Sequence, residues 1–255
     1  MASNDIGDWY RGIPQISKYW FTGSVVVPLV ARFGLINPTY LILLSDAVIR
    51  KFQIWRPITA VFYYPISGPR GFHYLMNLYF LYSYSTRLET GIFDGKPAEY
   101  VFMLLFNWLC LVIIGFAADL MLLMDPMILS VLYVWCQLNK DTVVSFWFGT
   151  RFKAMYLPWI LLAFNMIVGG GGLQELLGII VGHVYFFLMF KYPQDFGGVR
   201  LISTPQFLYK YFPNRRGGVS GFGQAPASTR RPNNDDNNDP GRHHWGRGGQ
   251  VLGGN

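Results

Sequence analysis

Four side chains set in apolar stretches have the types that acyl-transfer chemistry uses: Ser130, His183, His73 and Asn77. A serine hydroxyl becomes a nucleophile when a histidine takes its proton, and His or Asn donors can bind the oxyanion that forms. His73 and Asn77 stand four residues apart, on one face of a helix. His183 directly follows Gly182. Ser130, however, sits in Ile128-Leu129-Ser130-Val131-Leu132 with no glycine beside it. Nothing there makes room for a substrate backbone, so the nucleophile is the member of the set that fails. His183 is then expected to be a packed polar residue bonded to a neighbouring helix, and His73 to lie at an interface. The two cysteines, Cys110 and Cys136, form no CxxC pair and read as small core hydrophobes. The chain also has no GxxxxGK[ST] phosphate loop. No metal and no cofactor are expected.

The elements that position these residues follow from composition. Apolar residues make up 52%, aromatics 18% and charged residues only 14%, against about 25% charged in an ordinary soluble domain. The charges cluster between long uncharged runs and in the last sixty or so residues, the pattern of a polytopic membrane protein with a polar tail. A net charge of +7 arises from these loops and the tail. It comes with no nucleic-acid-binding signature, so nucleic acid is not an expected partner. The first fifteen residues carry Asp5, Asp8 and Arg11 rather than a basic region and an apolar core, so no cleaved signal peptide is expected. Ala2 excludes N-myristoylation, which needs glycine there.

Six apolar segments are legible, at 19–36, 72–84, 100–118, 127–138, 156–168 and 173–190. The glycine run 169–172 predicts a tight turn between the last two. The distribution of Lys and Arg favours cytosolic termini, with Arg87, Lys96, Lys140, Arg151 and Lys153 also on that side. Arg32 falls near the lumenal end of the first segment, where it either snorkels or pairs inside the bundle. The fourth and fifth segments offer only about 20 Å of helix for a hydrocarbon core of about 30 Å. Either polar helix ends extend them or the bilayer thins locally.

Both ends of the chain read as interfacial. Ile6, Trp9, Tyr10 and Ile13 repeat at helical spacing up to Pro14. Thr204 can cap a helix that begins at Pro205, with Phe207, Leu208, Tyr211 and Phe212 on its apolar side. The expected organisation is an interfacial helix at 1–17, a six-span membrane domain at 18–191, an amphipathic segment at 192–216 and a disordered tail at 217–255. The tail is rich in Gly, Pro, Asn and Ser and too poor in aliphatic residues to form a core.

Several separate segments carry a family resemblance. Asp5-Ile6-Gly7-Asp8-Trp9, Phe52-Gln53-Ile54-Trp55-Arg56-Pro57-Ile58-Thr59 and Asn77-Leu78-Tyr79-Phe80-Leu81-Tyr82 resemble the derlins. So do Ser85-Thr86-Arg87-Leu88-Glu89, Phe146-Trp147-Phe148-Gly149-Thr150-Arg151 and Ser203-Thr204-Pro205-Gln206-Phe207-Leu208. The likeness is nearest to the first of the vertebrate paralogues and covers nearly the whole chain. It implies an all-α, rhomboid-like bundle of six transmembrane helices in the endoplasmic reticulum membrane, with cytosolic termini and a disordered C-terminal tail. Trp55-Arg56 looks like the rhomboid-family pair in the first lumenal loop. Gly178 and Gly182 look like the family's GxxxG, whose glycines let another helix approach closely. Trp245, Gly246, Gly248, Leu252 and Gly253 resemble the motif that recruits the AAA segregase valosin-containing protein.

The resemblance implies a non-enzymatic part in ER-associated degradation: recognising misfolded proteins and moving them to the cytosol, where the segregase extracts them. It also implies a membrane ubiquitin ligase as partner, self-association into homo-oligomers and a link to the unfolded protein response. Rhomboid proteases instead place a serine within GxSG on the fourth span and a histidine on the sixth, with His and Asn on the second. His73, Asn77 and His183 look like remnants of that site, but Ser130 lacks the flanking glycines. An active rhomboid serine protease is therefore the alternative, and a small-solute channel a third class.

Overall fold

The structure is a computed structural model that describes residues 2–66, 68, 70–145, 149–169, 172–198 and 201–214. It is mostly helical. In order come α1 (Ala2–Gly12), α2 (Gln15–Arg32), α3 (Ser45–Lys51), α4 (Arg56–Phe62), α5 (Arg70–Arg87) and α6 (Pro97–Ala117). Then follow α7 (Met124–Leu138), a hairpin of β1 (Val143–Ser145) and β2 (Arg151–Lys153), α8 (Leu157–Gly169), α9 (Leu173–Phe186), α10 (Tyr192–Asp195) and α11 (Gln206–Tyr211). Each of the six apolar segments folds as one helix: α2, α5, α6, α7, α8 and α9. Of these, α6 and the run from α9 through α10 are long and apolar enough by themselves to cross a membrane.

The hairpin departs from an all-α expectation. Val143 pairs with Lys153 and Ser145 with Arg151, and Lys153 Nζ donates to Asp141 Oδ1 at 2.9 Å just outside the ladder. That bond and the ammonium charge hold the Asp141 carboxyl below its ordinary range. Phe146, Trp147 and Phe148, between the strands, lie outside the described residues, as do Gly170 and Gly171 between α8 and α9.

The bundle is built around α7. Every residue from Met124 to Cys136 is buried, so this helix meets neighbours on all sides. Helices α4, α5, α6, α8 and α9 all pack on it. Cys136 is fully buried and Cys110 half-buried, both as free thiols. The outer helices turn apolar faces outward. Leu105, Leu109 and Ile113 form an exposed stripe along α6, and Met166, Ile167, Ile180 and Val184 are exposed on α8 and α9. Apolar surface on that scale requires an apolar solvent.

Four boundaries differ from the sequence expectation for a tertiary or local reason. Helix α2 starts four residues early, because a remote carboxylate caps it. Glu89, in the π-turn Leu88–Ile92 after α5, accepts from the backbone N–H of Ile16 at 3.0 Å and of Ser17 at 2.7 Å, and from Ser17 Oγ at 2.7 Å. It thus satisfies amides that have no partner within their own helix and places negative charge at the positive end of the dipole. Replacing Glu89 with Ala is expected to cost about 1–2 kcal/mol, read as the unfolding free energy in an SDS titration, with Glu89→Gln recovering part.

At its other end α2 stops at Arg32, because Gly34 turns left-handed at φ 75°. Arg32 is exposed there. Helix α7 begins three residues before the apolar run, at Met124. Asp125 and Pro126 both sit in its first turn, where a carboxylate suits the dipole and proline loses no bond. Helix α11 starts at Gln206 with Pro205 as its cap and no side-chain cap bond, one residue later than the Thr204 cap expected. Only Leu208 of its apolar residues is buried; Phe207 and Tyr211 face outward.

The N-terminal helix packs as its spacing suggests. Trp9 meets Phe21 edge to face, lies tilted against Tyr82 and donates Nε1–H to the Tyr82 hydroxyl at 2.9 Å. Ile13 is buried at the turn into α2.

Candidate functional site

The residues whose types suit acyl transfer do not assemble. Ser130 is fully buried, and its hydroxyl donates to the Met127 carbonyl in its own helix at 2.8 Å. His183 is bonded to a neighbouring helix, but to Tyr133 rather than to Ser130. Its Nδ1 lies 2.8 Å from the Tyr133 hydroxyl, and the two rings meet edge to face. The His183 ring is exposed rather than packed, because it shares an outward strip of α9 with Val184.

The close approach of α9 to α7 lies one residue before that histidine. A methyl group on Gly178 would stand 2.5 Å from the Pro126 carbonyl oxygen, and one on Gly182 would stand 2.6 Å from that of Ser130. Both obstacles are backbone. The stretch of α7 bearing Ser130 is therefore sealed by α9, and neither a substrate strand nor an oxyanion has space beside it.

His73 and Asn77 turn to a different group of residues. His73 Nδ1 lies 2.8 Å from the Tyr64 hydroxyl. Asn77 Nδ2 donates to Asp125 Oδ1 at 2.5 Å, and Asn165 Nδ2 donates to Glu175 Oε1 at 3.2 Å. Asn77, Asp125, Asn165 and Glu175 line one small cavity. Asp125 and Glu175 are buried and lie in the first turns of α7 and α9, where the helix dipoles favour negative charge. Ligand atoms of His73, Asp125 and Glu175 lie within 4.8 Å of one another, close enough to share one ion. Sequence reasoning missed Asp125, Asn165 and Glu175 as site residues. The available signal was a carboxylate at the start of each of two apolar helices, which is costly in a membrane without a purpose.

The Trp55-Arg56 pair separates. Trp55 is exposed at the start of α4, whereas Arg56 is 4% exposed. Its guanidinium ties the first loop together: Nε donates to Gln53 Oε1 at 2.5 Å, and Nη1 donates to the carbonyls of Thr39 and Ile42 at 2.5 and 2.9 Å. Trp108 of α6 then anchors α4 by donating to the Pro57 carbonyl at 2.9 Å. Trp245, Gly246, Gly248, Leu252 and Gly253 lie outside the described residues.

A central helix sealed by glycine contacts, outer helices with apolar exteriors and buried carboxylates at one end define a polytopic helical membrane protein. The chain belongs to the Der1-like family, whose sequence model matches residues 13–206. It is 64% identical to human Derlin-1 over 245 residues, covering 96% of this chain and 97% of that protein. Derlin-1 of Caenorhabditis elegans is 49% identical over 253 residues, 98% of this chain and 100% of that one. For Derlin-1 of Drosophila melanogaster the identity is 45% over 251 residues, with 98% and 100% covered. Membership gives the chain a place in the endoplasmic reticulum membrane and a role connected with ER-associated degradation.

Proposed function

We propose that the chain is a non-enzymatic component of ER-associated degradation that recognises misfolded proteins, helps move them from the endoplasmic reticulum to the cytosol and recruits the segregase valosin-containing protein. The observation that carries the non-enzymatic part is the state of Ser130: fully buried, bonded into its own helix and covered by Gly182. A hydroxyl in that position has no base beside it and no path for a scissile carbonyl. One G-x-S-G string does occur, Gly218-Val219-Ser220-Gly221, but in the tail, beyond the apolar segments and the described residues.

Six crossings with both termini cytosolic fit the six helices and the placement of Lys and Arg. Under that topology α7 and α8, at 15 and 13 residues, reach about 20–22 Å through a core of about 30 Å. Of the two only α8 has an outward face, so the mismatch that favours local thinning of the bilayer, and a lower barrier to moving polar chain across it, arises there. ATP is spent by the segregase docked on the tail, through Trp245, Gly246, Gly248, Leu252 and Gly253. Family likeness supports a membrane ubiquitin ligase as a further partner and assembly into homo-oligomers.

Deleting residues 245–253 is expected to abolish co-purification with valosin-containing protein while leaving membrane insertion unchanged. Undiminished binding would remove the tail from this scheme. In the same preparations a fluorophosphonate is expected to leave Ser130 unlabelled; labelling that disappears in Ser130→Ala would establish the protease alternative.

A further inference from the structure

We infer that His73, Asp125 and Glu175 form a divalent-cation site suited to zinc, at the end of the bundle where α5, α7 and α9 begin. The ligand atoms of these three residues already lie within 4.8 Å of one another. Both carboxylates are 7% exposed, and neither makes an ion pair among the described residues. Two buried carboxylates at such range cannot both be ionised without a positive partner between them.

A second observation points the same way. Asn165 is also 7% exposed and lines the same cavity as the two carboxylates, and its Oδ1 has only the His73 ring as a hydrogen-bond partner. The side chain lies close to the His73 ring. The cavity is thus bordered by a surplus of lone pairs: the carboxylates and the amide oxygen share the N–H groups of Asn77 and Asn165 and one N–H of the His73 ring. A bound cation removes that surplus. The cavity beside the two carboxylates, about 10 Å³, admits a single water-sized particle, and His73 reaches the carboxylates from outside its lining.

The donor set selects the ion. One imidazole nitrogen with two carboxylate oxygens combines ligand types that zinc accepts, with water or an amide oxygen completing a tetrahedron. The outer partners have the arrangement that orients metal ligands. The Tyr64 hydroxyl bonds His73 Nδ1 and fixes the ring. Asn77 fixes Asp125 and Asn165 fixes Glu175. No sequence motif announces the site, because its ligands come from three helices far apart in the chain. A cation there clamps the starts of α5, α7 and α9 to one another.

The test uses the full chain with His243→Ala and His244→Ala, which removes imidazoles of the tail that could bind metal adventitiously. This protein is stripped with chelator in nanodiscs, reloaded with ZnCl2, freed of excess metal and assayed by mass spectrometry. About one zinc per chain is expected, together with a rise in Tm on adding ZnCl2. Asp125→Asn and Glu175→Gln are each expected to bind at least about tenfold more weakly and to lose the Tm response, with elution volume and tryptophan fluorescence unchanged. Should Asp125→Asn fail to fold, Glu175→Gln and the titration of the parent decide the matter. No retained zinc and no Tm response in the parent overturns the site and leaves a proton shared by the two carboxylates. Equal retention by the parent and Glu175→Gln overturns it as well, since the ion is then bound elsewhere.

Discussion

Gly182→Val is expected to leave little monodisperse protein, and Gly182→Ala to cost about 1–3 kcal/mol, the range for overpacking a core that cannot yield. The added Cβ would meet the Ser130 carbonyl oxygen at 2.6 Å and the Tyr133 Cβ at 3.0 Å. A flexible side chain in the way could rotate aside, but a helix backbone cannot. Gly178→Ala faces the same obstacle in Pro126, whose O, Cα and C lie 2.5, 2.8 and 3.0 Å from the new carbon. Because both glycines press on one helix, relief won by moving α9 at one site serves the other, and the double variant costs less than the sum. Gly71→Ala is the control. It lies in α5 with nothing within 4 Å of its Cβ position, and alanine there should change stability by no more than about 0.5 kcal/mol. Unfolding free energies from SDS titration read all three. Equal values for Gly182→Ala and Gly71→Ala would mean that α7 and α9 are not in backbone contact.

Arg56→Ala is the second large effect, at about 2–4 kcal/mol, since charge-assisted bonds contribute about 1.5–3 kcal/mol each and the Thr39 end can regain water. Its three bonds join Gln53, Thr39 and Ile42 across the first loop, so the loss appears as faster proteolysis between residues 37 and 55 as well as lower stability. Arg56→Lys keeps the charge but cannot present Nε and Nη1 in one fixed plane, and is expected to recover less than half. Trp55→Ala should behave differently. The ring is 47% exposed, and its loss is expected to change stability by under about 1 kcal/mol. If it nevertheless impairs export of a misfolded substrate, the two neighbours divide the work: Arg56 shapes the loop and Trp55 meets what approaches it. A stability loss for Trp55→Ala matching that of Arg56→Ala would remove the distinction.

Residue type and period, both local properties, made much of the architecture legible. Runs such as 100–118 and 173–190 are predominantly apolar over a helix's length, which favours helices in an apolar setting, and α6 and α9 lie there. Pro14 marked the break between α1 and α2, because its ring acts without neighbours. The missing glycines around Ser130 were also legible, and with them the failure of the nucleophile.

Tertiary structure decided what depends on partners remote in the chain. The early start of α2 requires Glu89, more than seventy residues away. The partners of His73 and Asn77 could not be read from their spacing, which fixes a helix face but not what the face meets. Only the packing of α5, α7, α8 and α9 brings Asp125, Asn165 and Glu175 to them. A sequence determines which groups prefer to leave water and which helical face carries them. Which buried carboxylate finds which amide or imidazole is settled by helix order and closeness, here through two glycines that let α9 lie against the backbone of α7.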